Sequence, residues 1–324
     1  YQPGKSQLIL LTFYGEQDSG LTKRIGCFDG TGVNYLTPNN GIFFESDGGV
    51  SWNIAKNGST TETVAQANWN VDTLDGTGVS EVTLDFDAPQ ILVIDFEWLG
   101  IGRVRVGFVI DGLIYYCHYF NHANDSTFDS VYMSTPNLPL RYDIQSDGVG
   151  SGYLDHICST VMSEGGLEET GVLRAIDTGT AHVDCDTADT PYAISGIRLK
   201  STHLDVTVKP EFFSMINEST QDFKWSLHLN PTYNGTFTYS DVANSAVQEA
   251  KGATANDITD LGLVIDSGFI RATNQGGGTA ARKFSTSLRM GSLIDGTRDE
   301  IVLVCTPLAA NADIHGSLTF RELL

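Results

Sequence analysis

The stretch Ile91–Asn124, ILVIDFEWLGIGRVRVGFVIDGLIYYCHYFNHAN, decides the fold class. With Gln90 before it, it holds three apolar runs: Gln90–Trp98, Arg103–Ile110 and Leu113–Phe120. Each is too short for a buried helix and is rich in β-branched and aromatic residues, which pack well on a pleated surface. The breaks between them are Leu99–Gly102 and Asp111-Gly112. An Asp-Gly pair between apolar runs signals a two-residue hairpin, because both central positions of the tightest turn need a positive φ. The segment therefore predicts an antiparallel meander, with Glu81–Phe86 as a further strand ahead of it.

Working outward, the same signals recur. Gly41–Lys56 reads as a hairpin around Asp47-Gly48-Gly49, and Gln7–Tyr14, Leu138–Ile144 and Leu154–Ser163 read as strands. After Ser163 the chain turns polar and rich in Gly, Thr and Asp, which places a boundary near Glu164–Gly171. Strands resume at Ala193–Lys200, Leu204–Phe213, Phe223–Leu229, Gly235–Tyr239, Leu263–Arg271, Phe284–Met290, Glu300–Thr306 and Gly316–Arg321. Asp241–Lys251 alone has helical character. Two batches of short strands predict an all-β protein of two consecutive β-sandwich or jelly-roll domains, residues 1–165 and 166–324.

Composition agrees and narrows the function classes. Asp is about twice as common as Glu, and Gly is abundant at 34 residues, a balance that favours turns over helices. The formal charge is −21, with 19 Lys and Arg scattered singly, so the overall field opposes nucleic acid and anionic lipid. No apolar run approaches the ~20 residues that span a bilayer, and the start, YQPGKSQLILL, lacks the charged n-region of a signal peptide. The five cysteines, Cys27, Cys117, Cys158, Cys185 and Cys305, are widely spaced and form no C-x-x-C pair, so buried free thiols are expected.

Chemistry-bearing patterns are incomplete. Asp95 and Glu97 stand two apart on one strand and share a face, but a glycosidase pair four residues apart would need Val93 or Ile101 to be acidic. Pairing with Arg103 and Arg105 on the next strand is the expectation there, subject to register. His118 and His122 lack the Glu of a zinc-protease helix and read as sheet-edge histidines. Asp184, Asp186 and Asp189 alternate in a loop that could hold one structural Ca²⁺, although the turn glycine and terminal Glu of a calcium loop are missing. No other cofactor is expected. Aromatics offer sugar-stacking platforms. The candidate glycan residues are Trp52, Asn121, His122, Asn124 and Asp125, with the loops around 121–130 and 34–40 as the expected binding loops.

Ile91–Asn124, with VYMSTPNLPLRYDI (Val131–Ile144) and LDHICSTVMSEGG (Leu154–Gly166), resembles a family of virion structural proteins of marine tailed phages, cyanophages in particular, and of some large viruses. YQPGKS at Tyr1, RIGCFDG at Arg24, WNVDTLDGTG at Trp69, IRLKS at Ile197 and VIDSGFI at Val264 extend the likeness along nearly the whole chain. The run from EWLG through GFVIDG to LIYYCHYF also looks like a concanavalin-type lectin jelly roll. The resemblance implies a non-enzymatic capsid decoration, head-fibre or tail-fibre component, made in the host cytoplasm and displayed on the particle exterior. Its implied partners are other virion proteins and copies of itself, a trimer by the habit of such proteins. A fibre module binding host surface glycan and a carbohydrate-active enzyme are the alternatives.

Overall fold

The computed structural model describes residues 1, 4–32, 35–166, 171–234, 237–252, 257–271, 279–283, 288–293 and 295–323. Every strand pairing among them is antiparallel, and no α-helix occurs among them; a 3₁₀ turn spans Gln66–Asn68. No described helix is long and apolar enough to cross a membrane. The chain divides into two compact units, Tyr1–Glu168 and Glu169–Leu324.

The first unit is a sandwich of two five-stranded sheets. One sheet contains β1 (Gln7–Tyr14), β6 (Gln90–Phe96), β7 (Val104–Ile110), β8 (Leu113–Phe120) and β10 (Asp155–Ser163), in the order β10-β1-β6-β7-β8. The other contains β2 (Leu21–Thr31), β3 (Thr37–Ser46), β4 (Val50–Lys56), β5 (Ser59–Ala65) and β9 (Leu140–Ser146), in the order β5-β4-β3-β2-β9. Alternation on each strand sends one set of side chains inward: Ile9, Leu11 and Phe13 on β1, Leu92, Ile94 and Phe96 on β6, Val106 and Phe108 on β7. They meet Ile25, Cys27, Ile42, Phe44, Trp52 and Ile54 from the facing sheet. Phe44 stands edge-on to Phe108 at 5.6 Å and to Trp52 at 5.5 Å, the ring geometry the aromatic quadrupole favours. The β7–β8 turn takes φ 51° at Asp111 and 80° at Gly112, as the Asp-Gly signal requires.

The second unit is also built from two sheets. The first holds β11 (Val172–Asp177), β14 (Thr207–Asn217), β21 (Thr279–Lys283) and β23 (Ala312–Leu323), with β12 (Val183–Cys185) also paired to β23. The larger one runs β16 (Thr232–Asn234), β19 (Asp257–Asp260), β13 (Tyr192–Leu199), β22 (Glu300–Pro307), β15 (Phe223–Leu229), β20 (Leu263–Ile270), with β17 (Tyr239–Asp241) and β18 (Val247–Lys251) added beside β13. Phe213, Met215, Ile314, Leu318 and Phe320 of the first sheet pack against Ile197, Trp225, Leu227, Ile301 and Leu303 of the second. Val302 and Val304 point the other way, into a smaller cluster with Ala193, Ala250, Phe237 and Ile258. Cover on both faces explains why Ile301–Cys305 is apolar throughout instead of alternating.

The all-β class and the sandwich architecture stand. Several element expectations do not. Asp241–Lys251 is not helical: β17 and β18 form a ribbon, and β18 pairs with β13, so ladder bonding overrides the helix propensity of Ala, Gln, Glu and Lys. Glu81–Phe86 belongs to no sheet and is tied by one bridge, Asp75 to Thr83. Its alternating Val82, Leu84 and Phe86 instead lie on the core of the first unit. Cys158 is exposed on edge strand β10, although the other four thiols are buried as expected. β14 begins at Thr207 and continues to Asn217. Gly235 and residues 284–287 lie outside the described residues, so the strands expected at Gly235–Tyr239 and Phe284–Met290 are described only in part.

Candidate functional site

In the first unit the chemistry gathers on the outer face of the β10-β1-β6-β7-β8 sheet. Ile94 and Phe96 face the core, so Asp95 faces outward, and the β6–β7 register sets it directly opposite Arg105. Arg105 Nη2 donates to Asp95 Oδ2 at 2.5 Å, and the Tyr116 hydroxyl donates to the same oxygen at 2.6 Å. Arg105 also lies 5.0 Å over the Tyr116 ring, and Arg103 lies 5.1 Å over Tyr119. Burial, then the hydrogen bond to Asp95, pushes the Tyr116 phenol up to about 12. Beside this network a cleft of ≈ 180 Å³ is lined by Ser6, Asp95, Phe96, Glu97, Gly102, Arg103 and Arg105. Register thus selects the Asp95–Arg105 pairing. Tyr116 and Tyr119, which complete the surface, were legible only as apolar strand residues.

The candidate glycan residues do not form one site. Trp52 is fully buried between Phe44 and Phe108 and offers no ring face to solvent. His122 is 2% exposed; its ring stacks on Tyr132 at 4.2 Å, Nδ1 lies 2.9 Å from Gly102 O, and Nε2 lies 2.9 Å from Glu62 Oε1. Trp52 is a core residue of β4, and His122, in the loop after β8, is drawn inward by its ring stacking on Tyr132 and by partners at both ring nitrogens. Asn121, Asn124 and Asp125 are exposed in the loop that follows β8. Asp125 Oδ1 accepts from Thr127 N at 2.9 Å and Thr127 Oγ1 at 2.8 Å, bonds that hold its carboxyl below the usual range. In the other suggested loop Asn34 lies outside the described residues, and Asn40 is buried with Oδ1 accepting from Ser134 N at 3.0 Å.

Asp184, Asp186 and Asp189 do not converge as a calcium site either. β12 ends at Cys185, the chain turns, and Asp189 takes φ 60° with its N–H donating to Pro307 O. Only Asp184 joins a potential ligand group among the described residues, and its neighbours come from other strands. Two groups of ligand atoms, each within 4.8 Å of one another, form there: His182, Glu218 and His315, and His182, Asp184 and Asp313.

Strand register builds this cluster. Val183 pairs with Ile314 and Asp184 with Asp313, which sets His182 across from His315. On the other side of β23, Asn217 pairs with Ile314, and Glu218 N donates to Asp313 O at 2.8 Å. Val183, Cys185, Ala312, Ile314 and Asn217 are buried, so the alternate positions 182, 184, 313, 315 and 218 share the outward face. His182 Nε2 lies 3.0 Å from Asp184 Oδ1 and 3.9 Å from Asp313 Oδ1. Desolvation lowers the His182 pKa, but its hydrogen bond to Glu218 and the fields of Asp313, Asp184 and Glu218 outweigh that, and the net shift is upward. The matching motifs His182-Val183-Asp184 and Asp313-Ile314-His315 are the sequence signal that could have found the cluster; they meet because one strand runs against the other.

No family model matches the chain, and no curated protein matches it. Among solved structures, the crystal structure of infectious bursal disease virus VP2 subviral particle aligns over 100% of this chain and 81% of that one, with 10% sequence identity and a TM-score of 0.18. This is a weak likeness to a viral capsid protein, and at that score it carries no argument about what this chain does.

Proposed function

We propose that this chain is a non-enzymatic structural protein of a virus particle, of the tailed-phage class, that works by associating with copies of itself and with other particle proteins. The observation that carries the self-association reading is the open edge at β20. This strand pairs with β15 on one side and with no described strand on the other. Its residues LVIDSGFI carry one charge and no proline, and Leu263, Val264 and Phe269 are 63%, 43% and 72% exposed. An edge of this kind invites another chain, and monomeric proteins guard such edges with charges, prolines or cover. Edge strand β10, with Ile157, Val161 and Met162 exposed, supports the same reading. The virion setting rests on the sequence resemblance centred on Ile91–Asn124.

Sedimentation velocity of the full chain tests association. Closed oligomers that grow with concentration are expected, a trimer first. A chain that stays monomeric at high concentration overturns the reading. Location on the particle exterior is tested by labelling intact particles with antibody to the chain.

The Asp95–Arg105–Tyr116 face favours one second reading, a receptor-glycan module, because phenol rings beside hydrogen-bonding carboxylate and guanidinium groups suit the apolar face and hydroxyls of a neutral sugar. A glycan array carries that test: binding lost in Arg105→Ala supports it, and an array without a binder removes it.

A further inference from the structure

We infer that the outward face of the β12–β23–β14 sheet holds one divalent cation of the zinc class, bound by His182 Nδ1, His315 Nε2 and the Glu218 carboxylate, with a fourth position open to solvent.

Geometry comes first. Glu218 reaches both rings, with Oε2 3.2 Å from His182 Nδ1 and Oε1 3.1 Å from His315 Nε2. Two ligand atoms each about 2.0–2.1 Å from a tetrahedral zinc lie about 3.3–3.4 Å apart; both nitrogen–oxygen contacts are already close to that spacing, and the three ligand atoms all lie within 4.8 Å of one another. The rings stand nearly perpendicular, with centroids 6.1 Å apart, and do not stack over the space between them.

The surroundings orient both rings. His182 Nε2 faces Asp184 Oδ1 at 3.0 Å; a proton held there leaves Nδ1 as the ligand, the carboxylate–histidine–metal arrangement. His315 Nδ1 lies 3.4 Å from Thr178 Oγ1, which itself accepts from Gly316 N at 3.3 Å, so Nδ1–H is directed to Thr178 and Nε2 to the site. Asn217 positions Glu218: its buried Oδ1 accepts from Ser219 N, Ser219 Oγ and Asp313 N, and its amide donates to Gln221 O at 2.6 Å. All three ligands sit on or next to paired strands, which hold a site more tightly than a loop does.

Chemistry chooses the metal. Two imidazoles and one carboxylate are a borderline set that suits zinc-class ions, whereas calcium takes six to eight oxygens. Asp184, Asp313 and the net charge of −21 attract a cation to this face.

The test uses the full chain without an affinity tag and with Cys158→Ser, which removes the exposed thiol as a rival ligand. Calorimetric titration with Zn²⁺ should give one site per chain, and Co²⁺ should give the visible absorption of a low-coordinate nitrogen–oxygen site. His182→Ala and His315→Ala should each lower affinity by roughly a hundredfold or more, and Asp184→Asn, which acts through His182, by about 10–100-fold. Asp186→Asn should leave affinity unchanged. In ¹⁵N-histidine-labelled chain without substitutions at the site, added Zn²⁺ should shift the His182 and His315 rings and not the His203 ring, a readout that does not depend on a variant folding. Absence of saturable binding, or binding that survives both histidine substitutions, overturns the site.

Discussion

Phe269→Glu is the perturbation that isolates the β20 edge. The ring is 72% exposed on the outward face, opposite Lys224 of β15. An aromatic side chain presents ~200 Å², so about 140 Å² of this ring is available to a partner. At 25 cal/mol per Å² its full cover is worth about 3.5 kcal/mol per copy, a factor of a few hundred in Kd. Glutamate removes that area and adds a like charge between copies of an acidic chain. Within one copy it faces Lys224, a cross-strand pair worth about 0.2–1 kcal/mol, so the fold is not expected to suffer. Sedimentation velocity over about a hundredfold range of concentration should show the wild type assembling and the variant shifted to monomer by that factor. Val79→Glu is the control, since Val79 is 93% exposed in a turn that belongs to no sheet and should leave assembly unchanged. Equal mass distributions for wild type and Phe269→Glu, with native circular dichroism in both, would refute the reasoning.

Trp52→Ala should destabilise the first unit by about 3–5 kcal/mol, because it empties a fully buried indole site, and urea unfolding followed by circular dichroism measures it; a loss under about 1 kcal/mol would contradict the core assignment. Arg105→Ala and Asp95→Asn should show a coupling of about 1 kcal/mol in a double-mutant cycle, since the Arg105 side chain is partly exposed and only Asp95 is well buried. The pH response of the second unit should follow His228, whose Nδ1–H donates to Leu261 O at 2.7 Å and whose Nε2 accepts from Ser226 Oγ. Burial lowers its pKa below 6.5, so on acidification the unfolded chain takes the proton first. The stability from the neutral ring is present above about pH 6.5 and is lost as pH falls toward the folded pKa. The urea midpoint of that unit should drop accordingly, and His228→Gln should flatten the slope.

Local elements were legible wherever propensity and pattern agreed. Gln7–Tyr14, Val50–Lys56 and Phe223–Leu229 are strands with the expected bounds, and Asp111-Gly112 turns as its chemistry requires. β2 was missed because LTKRIGCFDGT mixes charge into a buried strand. Its Lys23 is 2% exposed and is satisfied by Glu16 O and Asp18 Oδ2, both at 2.6 Å. β5 and β11 carry little signal because they are edge strands with little of their length buried, and β12 because its three residues are too few to show a period. Trp52 and His122 were read as exposed because an aromatic or imidazole ring looks the same in a core as on a sugar platform.

By itself, then, the chain's order of residues determines the all-β class, the tight turns and which residues of a strand share a face, because these depend on neighbours one to four positions away. It does not determine partners. Asp95 meets Arg105, and His182 meets Glu218 and His315 across 36 and 133 residues, only because particular registers were chosen between strands distant in sequence. A period of two says which way a side chain points and nothing about what stands opposite. A slip of one residue would turn His315 into the core and disperse the cluster. That choice is made by packing of the whole sandwich, which is where the candidate metal site and the open β20 edge come from.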